Sequence, residues 1–140
     1  MESIHFVPDW NNDIKISLLL SDNLSIHANK MEMKEIMWNL VLNAVQAMPD
    51  GGLLSLETKN KLFGENPSEY LEILVSDTGC GIDKAYLNKI FEPFFTTKER
   101  GTGLGLAIVN RIVEEYNGTI VIESRIENGT TCTVSLPLNK

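Results

Sequence analysis

Residues 30–52 read KMEMKEIMWNLVLNAVQAMPDGG. Apolar side chains recur at helical spacing from Met33 through Met37, Leu40, Val41 and Ala44 to Met48, and Trp38, Leu42 and Val45 widen the stripe. The segment therefore predicts one long helix over 30–48, stopped by Pro49-Asp50-Gly51-Gly52. Glu35, Asn39 and Asn43 fall four residues apart and form a narrow polar line on this apolar helix. Burying such groups without partners costs roughly 1–3 kcal/mol each, so the line must face solvent, other polar side chains or a ligand cavity. A solvated face accounts for the charge. Two asparagines in mid-helix need a further reason, because asparagine is a poor helix former.

Outward from this helix, the chain alternates short β-rich runs with turns. Residues 14–21 read as a strand, followed by a turn at 21–23 and a possible second short strand over 24–28. Residues 53–61 and 70–76 read as a hairpin joined by a polar turn at 64–68. Asp83 can cap a short helix running to about Phe91. Residues 92–103 show no periodicity and read as a loop, residues 104–116 as a helix ended by Asn117-Gly118, and 119–125 with 131–136 as a closing hairpin. Together these elements predict an α+β domain in which about three helices cover one face of a mostly antiparallel sheet of about five strands.

Composition sets the outer bounds. A length of 140 residues, 43% apolar and 22% charged, fits one globular domain. No apolar run approaches the ~20 residues of a membrane span, and residues 1–10 lack the pattern of a secretory signal, so a cytoplasmic location is expected. The net charge of −7 disfavours nucleic acid and anionic lipid as partners. Cys80 and Cys132 match no metal spacing and read as ordinary buried or semi-buried thiols.

Two glycine-rich stretches could carry chemistry. Ser76-Asp77-Thr78-Gly79-Cys80-Gly81 comes directly after an apolar strand, and Asp77 at the strand end could accept from an exocyclic amine. A plain strand-to-helix turn, with Asp77 bonding its own backbone, explains the stretch equally well. Gly101-Thr102-Gly103-Leu104-Gly105-Leu106 runs into a helix, an arrangement suited to phosphate through backbone N–H groups. It is neither a dinucleotide fingerprint, since no strand precedes it, nor a Walker A loop, since it lacks the Gly-Lys-Ser/Thr ending. Lys98 and Arg100 are the basic pair beside it, and ordinary solvated charge describes them as well. An amide oxygen such as those of Asn39 and Asn43 is a hard, neutral ligand suited to magnesium shared with phosphates.

In order and spacing these motifs resemble the catalytic and ATP-binding domain of bacterial sensor histidine kinases, in the superfamily of gyrase, MutL and HSP90 ATPases. Residues 35–44 (EIMWNLVLNA) are similar to the N box, Asp77-Thr-Gly79-Cys-Gly81 to the G1 box, residues 90–98 (IFEPFFTTK) to the F box and 101–106 (GTGLGL) to the G2 box. Gly129-Thr130 matches a further family motif, and the Phe-rich wording is most similar to nitrogen-regulation and sporulation kinases. The resemblance runs from about Ile14 to Pro137, leaving 1–13 as a linker or remnant and 14–140 as the domain.

The resemblance implies the two-layer α/β sandwich known as the Bergerat fold, with ATP and magnesium as its cofactors. Asn43 would coordinate the metal, Asn39 would support it or bind phosphate oxygens, and Lys98 would be a phosphate cation, which makes these three the expected catalytic residues. Asp77 would accept the adenine amine, assisted by Thr130, while Gly79, Gly81 and Ile82 would shape the purine pocket. Phe91, Phe94 and Phe95 would anchor a lid over the triphosphate, although three such aromatics could equally be core. Thr96, Thr97, Lys98, Gly101, Thr102, Gly103, Leu104, Gly105 and Leu106 would line that lid and the helix after it.

The implied reaction moves the γ-phosphate to a histidine on a separate helical dimerisation domain, with a response-regulator receiver downstream and neither nucleic acid nor membrane touched by this domain. Two departures stand out. Gln46-Ala47 replaces a basic residue many members carry, and neither His5 nor His27 fits the phosphoacceptor pattern. A gyrase- or MutL-type ATPase is the rival reading. Those enzymes carry a glutamate where Asn39 stands, and an amide cannot take a proton from water. A serine-kinase anti-sigma relative and a nucleotide-dependent binding module are further alternatives.

Overall fold

Parallel neighbours in a sheet need a long crossover, whereas antiparallel neighbours can be joined by a tight turn, and this chain uses both. The computed structural model describes residues 13–19, 30–63, 68–93 and 105–137. Strand β1 (Ile14–Leu19) leads to helix α1 (Lys30–Gln46), β2 (Gly52–Phe63), β3 (Ser68–Asp77), helix α2 (Gly105–Glu115), β4 (Thr119–Arg125) and β5 (Gly129–Pro137). The sheet order is β1-β2-β3-β5-β4. Strands β1 and β2 are parallel and α1 lies between them in the chain as their crossover; the other three pairings are antiparallel. The sheet is thus mixed and mostly antiparallel, as expected.

Side chains alternate across the strands. Leu54 and Leu56 of β2, Leu71, Ile73 and Val75 of β3, and Cys132, Val134 and Leu136 of β5 are buried in one core with Ile36, Leu40, Val41, Ala44, Val45 and Met48 of α1 and Val109, Ile112 and Val113 of α2. Between them sit Ser55, Ser76, Thr131 and Thr133 on the opposite face, where the Ser76 and Thr131 hydroxyls bond across strands at 3.0 Å. Both helices lie against the apolar face, so the polar line of α1 and the start of α2 share one side of the sheet with the inward rows of the strands.

The expected stripe of α1 is buried or packed on the core from Met33 to Met48, with two differences at its edges. Ile36 is fully buried, whereas Trp38 is 38% exposed. Apolar content alone placed Trp38 inward; the α2 and sheet contacts instead select the Ile36, Leu40 and Val41 side. The two helices are also tied near their far ends, where the Tyr116 hydroxyl donates to Glu32 at 2.7 Å.

The third expected helix does not form. Asp83 does cap, accepting from the Ala85 N–H at 3.0 Å, but the chain then makes only a single 3-10 turn at Lys84–Tyr86 and further tight turns. The physical reason is the lack of an apolar face: Ile90 is the buried residue there, and none of the 3-10 turn is. The described residues hold two α-helices. The expected strand over 24–28 lies outside them, as do His5 and His27.

Helix α2 ends as its sequence dictates. Asn117 takes a positive φ of 59° and Gly118 N–H reaches back to the Val113 carbonyl at 2.9 Å, closing the last turn and releasing the chain into β4.

Candidate ATP-binding site

The inward rows of the sheet are apolar until the last one. Leu56, Val75, Cys132 and Ile122 form one row across β2, β3, β5 and β4, and the next is Leu54, Asp77, Thr130 and Ser124. Three polar side chains thus stand side by side at the edge of a hydrophobic face. Their bonds are specific. Asp77 Oδ1 accepts from Gly79 N–H at 2.8 Å, so the carboxylate does turn onto its own loop. Ser124 Oγ accepts from Ile82 N–H at 2.7 Å, donates to the Gly129 carbonyl at 3.1 Å and lies 2.7 Å from the Thr130 hydroxyl.

The loop after β3 is pinned on all sides. Cys80 N–H donates to the Ala47 carbonyl at 3.0 Å, and Glu127 N–H donates to the Cys80 carbonyl at 2.7 Å. Thr78 Oγ1 accepts from Leu53 N–H at 3.0 Å. A Cβ on Gly79 would fall on the Ala47 carbonyl oxygen, so α1 and the loop approach closer than any side chain allows. Gly81 has φ +73°, and a Cβ there would fall on the Arg125 carbonyl oxygen.

These contacts join the polar line of α1 to the loop. Ala47 stands four residues beyond Asn43 and eight beyond Asn39, on the same side of the helix. At the other end, Asn39 Nδ2 donates to the Glu35 carbonyl at 2.8 Å, which fixes the amide so that Oδ1 is the outward atom. That oxygen would lie 3.1 Å from a Cβ on Gly105, the first residue of α2. The line therefore spans from the N-terminus of α2, where the first backbone N–H groups of a helix concentrate positive potential, to the Asp77 loop.

Residues 28–140 match the family model described as histidine kinase-, DNA gyrase B-, and HSP90-like ATPase. The chain belongs to this family. Among similar proteins, sporulation kinase A of Bacillus subtilis (strain 168) is 39% identical over 116 residues, covering 83% of this chain and 18% of that protein. The sensor histidine kinase ZraS of Escherichia coli (strain K12) is 38% identical over 130 residues, covering 92% of this chain and 27% of its own length. The chain thus spans about a fifth to a quarter of these relatives. The catalytic domain of histidine kinase ThkA superposes with a TM-score of 0.77 at 31% identity, over 90% of this chain and 80% of that one. Full-length ShkA, solved in complex with AMPPNP, superposes with a TM-score of 0.75 at 26% identity, over 97% of this chain and 28% of its own. The domain is an ATP-binding catalytic domain of the histidine kinase type.

Within this ATPase domain, Asn39, Asn43, Asp77, Gly79, Gly81, Ile82, Gly105 and Thr130 all belong to α1, the Asp77 loop, the start of α2 or the last inward row. Gly79 and Gly81 are needed first for contact with protein backbone. Leu106 packs against the core, and Phe91 is half-buried beyond it. Phe94, Phe95, Thr96, Thr97, Lys98, Arg100, Gly101, Thr102, Gly103 and Leu104 lie outside the described residues.

Three features around the candidate site were missed in the sequence: Ser124, the Ala47 carbonyl and the turn between β4 and β5. Ser124 left a readable signal. It occupies the inward register set by Ile120 and Ile122, where a polar residue requires a partner. The other two are backbone contacts between distant segments and leave none.

The cysteines separate sharply. Cys80 is exposed in the Asp77 loop, whereas Cys132 is buried beneath it and its thiol is pushed up from 9.0 to about 12 by burial. Iodoacetamide at neutral pH should therefore modify Cys80 and spare Cys132 in the folded domain, as read by peptide mass spectrometry. Because the unfolded thiol ionises near 9.0 and the folded one near 12, stability should fall as pH rises across that window.

Proposed function

We propose that this chain binds ATP together with a magnesium ion and transfers the γ-phosphoryl group to a histidine on a separate helical dimerisation domain of the same kinase. The observation that carries the reading is the polar line of α1, with Asn39 Oδ1 turned toward the first residue of α2 at one end and the Asp77 loop hung from Ala47 at the other. The donors fit the cofactor. Asn39 spends one N–H of its amide on the Glu35 carbonyl, its amide oxygen is turned toward Gly105, and a neutral oxygen suits a metal that also binds phosphates.

In this reading Asn43 holds magnesium and Asn39 supports it, Asp77 and Thr130 receive the adenine amine, and the N-terminus of α2 from Gly105 faces the phosphates. Gly79, Gly81 and Ile82 build the wall of the base pocket, while Phe91, Phe95, Lys98 and the lid sequence over about 96–103 are assigned to the triphosphate end. Bound Mg-ATP supplies the transferable phosphoryl group. The chain's own contribution is to position it and neutralise its charge. Asn39 is an amide and cannot activate water, so the site holds the nucleotide without spending it. The unit assigned to this task is 14–140, with 1–13 as the connection to the rest of a cytoplasmic kinase region, and a response-regulator receiver domain takes the phosphoryl group next.

The test uses γ-labelled ATP. Incubated alone with the label, the chain should bind nucleotide by calorimetry and remain unlabelled. With a histidine-bearing dimerisation domain added, label should appear on that histidine, slowly, because the tether that raises effective concentration is missing. Stable label on the chain itself, or brisk phosphate release without acceptor, would favour a different catalytic assignment.

A further inference from the structure

We infer that Ser124 is a positioning residue for base selection: it commits the Thr130 proton, so that Thr130 and Asp77 together present acceptors alone and select a purine carrying a 6-amino group. The inference rests on the reading that the Asp77 and Thr130 row receives the base, and it adds a residue that lies in none of the N, G1, F and G2 boxes.

The argument is one of proton accounting. Ser124 Oγ has one proton and two lone pairs. The Ile82 N–H, 2.7 Å away, can only donate, so it uses one lone pair. The Gly129 carbonyl, 3.1 Å away, can only accept, so the serine proton goes there. The remaining contact, 2.7 Å to Thr130 Oγ1, can then be made in one way: Thr130 donates and Ser124 accepts. All three bonds coexist in no other arrangement.

Thr130 consequently has lone pairs left and no proton to offer. Asp77, its partner across β3 and β5, already acts as an acceptor, its Oδ1 taking the Gly79 N–H at 2.8 Å. A ligand edge meeting this pair must bring hydrogens. A 6-amino group does so, while a 6-oxo group sets oxygen against oxygen and leaves the acceptors it covers unpaired. Ser124 touches no ligand in this scheme. It also anchors Ile82 and the β4–β5 turn, so one hydroxyl couples the polarity of the row to the placement of the loop.

The test compares Mg-ATP with Mg-ITP, which carries oxygen at position 6, by calorimetry on the whole chain. The unmodified protein should prefer ATP by about tenfold or more, the usual result of leaving an acceptor unpaired. Ser124→Ala releases the Thr130 proton to face a 6-oxo group, so the preference should shrink mainly because ITP binds better. Ser124→Thr, which keeps the hydroxyl, should restore it. A purely structural serine would weaken both nucleotides in proportion, and an unchanged ratio in folded Ser124→Ala overturns the inference. Should that variant not fold, Thr130→Val serves: removing the opposed oxygen must also narrow the ratio, and a ratio left as it was overturns the inference too. Failure of the unmodified chain to bind either nucleotide would instead bring down the site reading beneath it.

Discussion

Replacing Asp77 with alanine should lower ATP affinity by about 10- to 100-fold, since a hydrogen bond to a charged group contributes ~1.5–3 kcal/mol and each 1.4 kcal/mol is tenfold. That number counts the bond to the nucleotide alone, and a second loss accompanies it. The proposed bond to the adenine amine disappears, and Gly79 N–H loses the acceptor it has at 2.8 Å. Asp77→Asn separates them. Its amide oxygen can still take the Gly79 N–H, so the loop should survive, while its NH2 meets the adenine amine donor to donor. Calorimetry on both variants, with circular dichroism as the check on folding, reads the outcome. ATP affinity unchanged in Asp77→Asn and Asp77→Ala alike would remove the base from this row.

Gly81→Ala should have the largest effect on the fold, destabilising it by ~3 kcal/mol in urea titration. A non-glycine residue at positive φ costs ~1–2 kcal/mol, and forcing a methyl into a filled space costs ~1–3 kcal/mol more. Gly81 has φ +73°, and its added Cβ would meet the Arg125 carbonyl and the Ile126 Cα, the latter at 3.0 Å. Relief of that clash requires the β4–β5 turn to withdraw, and with it the Glu127 N–H bond to Cys80. The Cys80 thiol reports the same event, because its alkylation should accelerate as the loop comes away. A folded Gly81→Ala domain with unaltered midpoint would show that the loop and turn are not packed as described.

Much of this was legible in the sequence because it depends on local pattern. The period of α1, the stop at Pro49-Asp50-Gly51-Gly52 and the Asn117-Gly118 terminus are each dictated by neighbours in the chain, and the structure has them within two residues of expectation. The alternation of β2, β3 and β5 likewise assigns their faces. The expectations that failed depended on tertiary contact. Trp38 and Ile36 are both apolar, so only the position of α2 decides which is buried. The turn after Asp83 has a good cap and poor packing, and a cap alone does not sustain a helix. At the candidate site, motif order pointed to the Asp77 loop and the asparagine line, yet the grip of Ala47 and Glu127 on Cys80 joins residues with no pattern in common.

In the proposed site, the attachment of Cys80 to Ala47 makes one rod answer for both ends of the nucleotide. The carboxamides and the carbonyl that suspends the Asp77 loop ride on the same seventeen-residue helix and the turn closing it. A tilt of that rod cannot loosen one end while sparing the other. Trimming a side chain beneath it, such as Val45 or Met48, should therefore weaken adenosine and ATP together, although neither residue is among those assigned to the site.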